Sequence, residues 1–287
     1  NDHRLGANEA PPAIISMFLG DQLTAVVDHI IRGSDESVPS ASIMRVGVST
    51  LPFIRRDATD RNRTSPFAFT GNKFEFRMVP SSGCIADANT VLNTIAAEAF
   101  QAFADELEKA EDFEFALNAL IRREMTAHQR IIFNGNGYDD AWVQEAKRRG
   151  LANLRDTVDC MPAYIDRKNV ELFTRHAILT ETEMRARYEI HLENYCKVSA
   201  IEASTLLDMV QRHILPAASV YADRLTQTAF HKENSVPALS ARMEKTLAQR
   251  VTDLGEKLFD TCEALHAALS DAAAADSGID AARYYRD

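Results

Sequence analysis

DRNRTSPFAFTGNKFEFRMV, residues 60–79, decides how this chain is read. Its second half alternates charged and apolar residues from Lys73 to Met78, the pattern of a β-strand. Successive side chains on a strand point to opposite faces, so Phe74, Phe76 and Met78 share one face and Lys73, Glu75 and Arg77 the other. One acid then lies between two bases, each about 7 Å along the strand. That spacing suits a metal-bound polyphosphate: the carboxylate holds Mg²⁺ or Mn²⁺ and the cations hold phosphate oxygens. Arg61 and Arg63 repeat the two-residue spacing upstream. An ordinary half-exposed antiparallel strand shows the same alternation. Two features favour a site. The cations are mostly arginine, whose planar fork matches phosphate. Turn formers also bracket two short strands (Ser65-Pro66, Thr70-Gly71-Asn72, Pro80-Ser81-Ser82-Gly83) and set their register.

The stretch NRTSPFAFTGNKFEFRM resembles the late catalytic motif of glutamine synthetases, specifically the large type III class. NDHRLGANEAPPAI (residues 1–14) is similar to the same family's RLxxxxEAP element, and FNGNGYDDAWVQEAKRRGL (133–151) resembles type III sequence. The resemblance covers essentially the whole chain. It implies an α+β fold: part of a glutamine-synthetase-type catalytic sheet over residues 1–110, then a mainly helical C-terminal domain over 111–287. The activity implied is ATP-dependent ligation of ammonia to glutamate through γ-glutamyl phosphate, with Mg²⁺ or Mn²⁺ as cofactor.

By position, the resemblance makes Arg4 the arginine that contacts glutamate. Glu9 becomes the flap acid that closes over the intermediate and helps deprotonate ammonium. Arg63 and Arg77 become phosphoryl-binding arginines, and Glu75 a metal ligand on the ATP side. Lys73 stands where better-known classes carry an arginine, which implies a nucleotide-phosphate contact. A further phosphate-binding arginine of those classes would fall near Ala68. The resemblance also implies a homododecamer of stacked hexameric rings with active sites shared between subunits. These residue types suit the chemistry, because phosphoryl transfer depends on positioning and on charge stabilisation by cations. A loop carboxylate is a reasonable proton acceptor.

The chain opens Asn-Asp-His, and the resemblance begins in the middle of a catalytic domain. The family's paired glutamates and metal-binding histidine are not found in it. Glu75 alone cannot make a di-metal site. The expectation is therefore a C-terminal piece of a longer enzyme, inactive by itself.

Bulk properties narrow the class. A net charge of −10 disfavours a nucleic-acid surface, and the bases are spread among acids. The four cysteines lie far apart without C-x-x-C spacing, as free thiols of a reducing, cytoplasmic compartment would. No apolar run approaches the roughly 20 residues needed to span a bilayer.

Periodicity predicts a helix over residues 20–31, extended segments at 46–51 and 53–54, and a mobile polar loop at 33–42. From Asp87 the pattern is almost wholly helical. Asp87 is the expected cap of a helix to about Lys109. A second helix is expected over 112–133, with Phe113, Leu117, Leu120, Ile121 and Ile131 buried. Asn134-Gly135-Asn136-Gly137 is a break, and Asp139 or Asp140 opens a helix carrying Trp142. Another break is expected around Pro162. Thr180-x-x-Glu183 is a capping box opening a long helix that Pro216 could kink and that should fade near His231. Leu239, Met243, Leu247, Val251, Leu254, Leu258, Cys262, Leu265 and Leu269 form an apolar stripe. That stripe predicts a last helix packed antiparallel on the previous one, or a subunit contact. The segment after Ser270 and the tail 281–287 are expected to fray.

Glu189, His191 and Glu193 do not all share one helical face, so a solvated face is the default there. Two other readings stay open. One is another carboxylate–amine ligase of the same superfamily. The other is a non-catalytic helical assembly or regulatory module.

Overall fold

A computed structural model describes residues 13–33, 43–44, 54–55, 65–79, 83–236, 238–275 and 278–286. The chain forms two compact units, Asn1–Glu181 and Thr182–Asp287. In chain order the first carries β1 (Met17–Phe18), α1 (Gly20–Arg32), β2 (Ile43–Met44), β3 (Ile54–Arg55), β4 (Phe67–Phe69), β5 (Phe74–Phe76), α2 (Ile85–Leu107) and α3 (Phe113–His128). There follow a 3₁₀ turn at Gln129–Ile131, α4 (Asp140–Arg148), α5 (Thr157–Tyr164) and α6 (Arg167–Arg175). The long helix that opens the second unit is α7 (Glu181–Met209). The α+β reading of a small sheet followed by helices is what the structure shows.

The sheet runs β1-β4-β5, with β1 parallel to β4 and β4 antiparallel to β5. The β4–β5 hairpin closes where the Thr70 N–H bonds to the Lys73 carbonyl at 2.9 Å. Between them Gly71 has φ +96°, and a primed two-residue turn needs positive φ at that first central position. The strand is shorter than the Lys73–Met78 alternation predicts, because the ladder closes at Phe74 and Phe76. On its other side β1 meets residues 132–133: Met17 bridges Ile132, and the Phe133 N–H donates to the Met17 carbonyl at 2.9 Å. Two buried hydroxyls fasten this junction. Ser16 Oγ donates to Ser65 Oγ at 2.8 Å, and Ser65 Oγ donates to the Phe133 carbonyl at 2.9 Å.

Beneath the junction Ile14, Trp142 and Ala146 form a buried cluster with Phe133, Val143 and Leu151 against it. Phe133 stacks on Trp142 with centroids 3.7 Å apart. The helix bearing Trp142 starts where expected, with Asp139 accepting from the Ala141 N–H. At the predicted break, Asn134 Oδ1 accepts from the N–H groups of Leu19 and Gly20 and so caps α1. The other end of α1 closes on Gly33 at φ +63°. There a Cβ would lie 3.0 Å from the Arg122 guanidinium, which serves the Ile31 carbonyl.

Several expectations need correction. Cys84, not Asp87, caps α2: its backbone is extended and its Sγ accepts from the Ala86 N–H. Asp87 lies in the first turn, where a carboxylate meets the helix dipole. The 112–133 helix ends at His128, and Phe113 is exposed while Leu120 is buried. Pro162 lies inside α5 rather than in a break, and the helix ends two residues later. The segments read as extended at 46–51 and mobile at 34–42 lie outside the described residues.

In the second unit α7 continues through a π-helical turn, Val210–Ile214, into α8 (Leu215–Ser235). The Leu215 N–H bonds back to the Val210 carbonyl, one step wider than an α-turn. This widening sits just ahead of Pro216, which the rod absorbs at the start of α8; the rod then runs four residues past His231. The final long helix, α9 (Arg242–Ala273), packs along α8. Leu207, Val210 and Cys262 form the buried centre, with Leu215, Leu258, Leu265 and Leu269 against it. The predicted stripe is right in its C-terminal half, but Leu239, Met243 and Leu254 are exposed. Ala241, Ala248 and Ala272 are buried instead. The tail does not fray. It forms α10 (Gly278–Arg286), with Ala282 fully buried.

At the α8–α9 turn, Lys232 meets the buried Glu244 at 2.5 Å and Lys245 meets Glu233 at 2.6 Å. Glu244 Oε2 is buried with no hydrogen-bond partner among the described residues, and its carboxyl is held below the ordinary range by Lys232.

Two outcomes test this packing. Trp142→Ala should lower unfolding stability by about 3–5 kcal/mol in urea titrations, because it removes a stacked, buried indole. Lys232→Met alone should destabilise more than Lys232→Met with Glu244→Leu, since the single change strands a buried carboxylate; thermal melts of the two variants check the order.

Candidate functional site

The β4–β5 hairpin sorts its side chains as the alternation demands. Phe67 faces Phe76 and Phe69 faces Phe74 across the register, with ring centroids 4.8 and 5.3 Å apart. These rings occupy one face. Glu75 occupies the other, directly opposite Ala68. Its neighbours along the strand reach back to it: Lys73 Nζ is 3.2 Å from Oε1 and Arg77 Nη2 is 3.1 Å from Oε2. Arg77 also donates through Nε at 3.3 Å, so its fork straddles one carboxylate oxygen.

The face is partly open. Side-chain exposure falls from 65% at Lys73 to 39% at Glu75 and 28% at Arg77. Hydrogen bonds from Lys73 and then Arg77 hold the Glu75 carboxyl below its ordinary value of 4.5. Glu75 therefore stays ionised into mildly acidic solution, ready to meet a cation. Each of its oxygens already has a cationic partner, so a metal ion binding there would compete with at least one of them. The freed ammonium or guanidinium could then turn to a phosphate oxygen. Ala68 is fully buried and small, which leaves the position opposite Glu75 without a charged group.

Of the residues singled out in the sequence, Lys73, Glu75 and Arg77 are brought together. Arg4, Glu9 and Arg63 lie outside the described residues. No group of three His, Cys, Asp or Glu side chains able to hold a metal ion occurs among the described residues. Glu75 fits one ligand position of a hard divalent cation, but the described residues alone do not complete such a centre.

Sequence reasoning missed much of the ionic fastening of the first unit. His176 Nε2 lies 2.7 Å from Glu98, which also pairs with Arg175. Arg149 lies over Trp142 and donates to the Ile132 carbonyl at 2.8 Å. Its partner Glu145 also bonds to Arg148, and the two arginines hold that carboxyl at about 2. The i,i+3 and i,i+4 spacings of Glu145 with Arg148 and Arg149 were visible signals; the other contacts depend on how the helices are arranged.

Residues 116–233 match the family described as "Glutamine synthetase C-terminal domain". The chain is 44% identical over 231 residues to the "Type-3 glutamine synthetase" of Dictyostelium discoideum, an alignment covering 79% of this chain and 31% of that protein. It is similar to the C-terminal part of glutamine synthetases. The glutamine synthetase of Butyrivibrio fibrisolvens is 39% identical over 274 residues, 91% of this chain and 38% of that one. The glutamine synthetase of Bacteroides fragilis (strain YCH46) is 37% identical over 279 residues, 92% and 38% respectively. The chain thus spans about a third of the length of the curated relatives it matches. No helix among its described residues is long and apolar enough to cross a membrane.

Because the Glu75 pKa is depressed, its ion pairs contribute stability above the ordinary carboxylate pKa and lose it as pH falls through the lowered value. The Glu75 carboxyl should titrate by NMR with a midpoint under 4.5, and Lys73→Met should move that midpoint up more than a distant surface change does.

Proposed function

We propose that the polypeptide to which this chain contributes ligates ammonia to glutamate at the expense of ATP. The observation that carries the reading is the strand face on which Glu75 is held between Lys73 and Arg77. The 37–44% identity to glutamine synthetases supports it. A glutamate γ-carboxylate oxygen attacks the terminal phosphorus of ATP and ADP leaves. Ammonia then attacks the acyl carbon of γ-glutamyl phosphate and inorganic phosphate departs.

In this scheme Lys73, Arg63 and Arg77 bind the phosphate oxygens on which negative charge builds during transfer. Glu75 supplies one carboxylate ligand for Mg²⁺ or Mn²⁺. When bound, such an ion neutralises phosphate charge and orients the transferring group. Arg4 pairs with the glutamate substrate. Glu9 takes a proton from ammonium and frees the nucleophilic lone pair. A single metal carboxylate does not suffice, so the remaining ligands come from segments that the relatives carry beyond the matched third, and this chain alone is inactive.

The division at about residue 110 between catalytic-type and C-terminal parts is supported by the C-terminal family match starting at 116. A homo-oligomer with shared active sites and a cytoplasmic location complete the reading.

The test is glutamine formation with phosphate release by a polypeptide joining this chain to the further segments of its relatives. Glu75→Ala should lower turnover roughly 100-fold, the scale of losing one charge-stabilising group. It should also raise the metal concentration needed. Unchanged metal dependence would remove Glu75 from the site, and faster turnover with a larger amine than with ammonia would replace the substrate assignment.

A further inference from the structure

The α2–α3 hairpin leaves an apolar groove of about 490 Å³ that the reaction above does not use. Phe100, Phe103 and Leu107 line one wall at helical spacing, and Leu117, Ile121 and Met125 line the other. Each wall covers about eight residues, or roughly 12 Å at 1.5 Å per residue. That length matches two turns of a helix inserting side chains at i, i+3 or i+4, and i+7. Phe100 is 71% exposed at the mouth, and Phe113, 56% exposed, continues the Leu117 stripe one turn earlier. Single exposed apolar residues are ordinary, but a contiguous concave set on two helices is characteristic of a recognition site. The groove is also held in shape. Arg123 on α3 makes two 2.8 Å bonds to Glu106 on α2, so the walls are tied together.

Charge around the groove selects the occupant. Residues 85–120 carry eight acids (Asp87, Glu98, Asp105, Glu106, Glu108, Glu111, Asp112, Glu114) and one base, Lys109. Glu98 and Glu106 are engaged within the fold. Glu108, Glu111 and Glu114 are exposed, and no cation among the described residues pairs with them. They flank the lining at the end of α2, in the connecting turn and at the start of α3. A second copy of this chain would bring an equally acidic rim against them, which like-charge repulsion opposes. A partner with basic flanks gains attraction where the copy meets repulsion. We propose that this groove docks an amphipathic helix of a partner protein, its apolar face between α2 and α3 and its lysines and arginines against the acidic rim.

The test is fluorescence anisotropy of a labelled 18-residue helical peptide with Leu and Phe at i, i+3, i+4 and i+7 and Lys or Arg on its flanks. It is titrated with the 287-residue chain and with the longer polypeptide assayed for activity. Binding should weaken about tenfold or more between 0.1 and 1 M salt, as the screening length falls from about 10 to 3 Å. Neutralising the rim with Glu108→Gln, Glu111→Gln and Glu114→Gln should weaken it similarly. These exposed positions leave the core intact, which circular dichroism checks. Ile121→Asp should abolish binding.

Equal binding of a peptide with the same apolar face and Glu flanks would overturn the proposal. So would binding unaffected by the rim changes, or no binding to either polypeptide. Loss of binding in the longer polypeptide alone would show that its own added segments fill the groove. Self-association of the chain abolished by Ile121→Asp would show that a second copy does. Either result overturns the partner assignment. None of these readouts depends on ligase activity, so the groove and the proposed reaction fail independently.

Discussion

The first unit depends on one junction, the hydroxyl relay from Ser16 through Ser65 to the Phe133 carbonyl. It joins three segments far apart in sequence at a point where all three backbones are buried or nearly so. A buried hydroxyl needs partners, and here each hydroxyl helps satisfy the next. The relay holds β1 between β4 and residues 132–133, and β4 in turn carries β5. The Lys73–Glu75–Arg77 face is thus anchored through two strands to the Ile14–Trp142 core. Its position relative to the helices is set by that anchor and not by the hairpin alone, which would be marginal in isolation.

On that face the chemistry is a balance of charges. Two cations on one carboxylate keep it ionised and keep themselves close together while no ligand is bound. The partial exposure matters: such pairs in contact with water are weak and can exchange partners readily. A rigid, fully buried triad would resist the rearrangement that binding nucleotide and metal demands.

The second unit solves a different problem. A rod from Glu181 to Ser235 must pass Pro216, and it does so by widening one turn rather than by stopping. The widened turn carries Val210 into the same buried cluster as Leu207 and Cys262, so packing offsets what the irregular ladder loses. At the hairpin end the Lys232–Glu244 pair marks the register of α8 on α9. A buried ion pair of this kind favours one alignment over its neighbours even where its net stabilisation is small.

How much could be read in advance follows from how local each determinant is. Strand alternation at 73–77, the Gly71 turn, the break at Asn134, the cap at Asp139 and the start of α7 are encoded within a few residues, and all could be read from the chain. The family signature belongs with them, since it is carried by contiguous motifs. The Glu98–His176 contact, the capping of α1 by Asn134 and the burial of Ala282 could not be read, because each depends on a partner brought near by the fold. The α9 stripe divides along the same line. Periodicity located the helix, yet which of its apolar residues are covered was decided by the packing: Ala248 and Cys262 are buried, while Leu239, Met243 and Leu254 remain in water. Local sequence determines dihedral preference and side-chain phase; burial and ionic partnership are properties of packed surfaces, and only the tertiary structure assigns them.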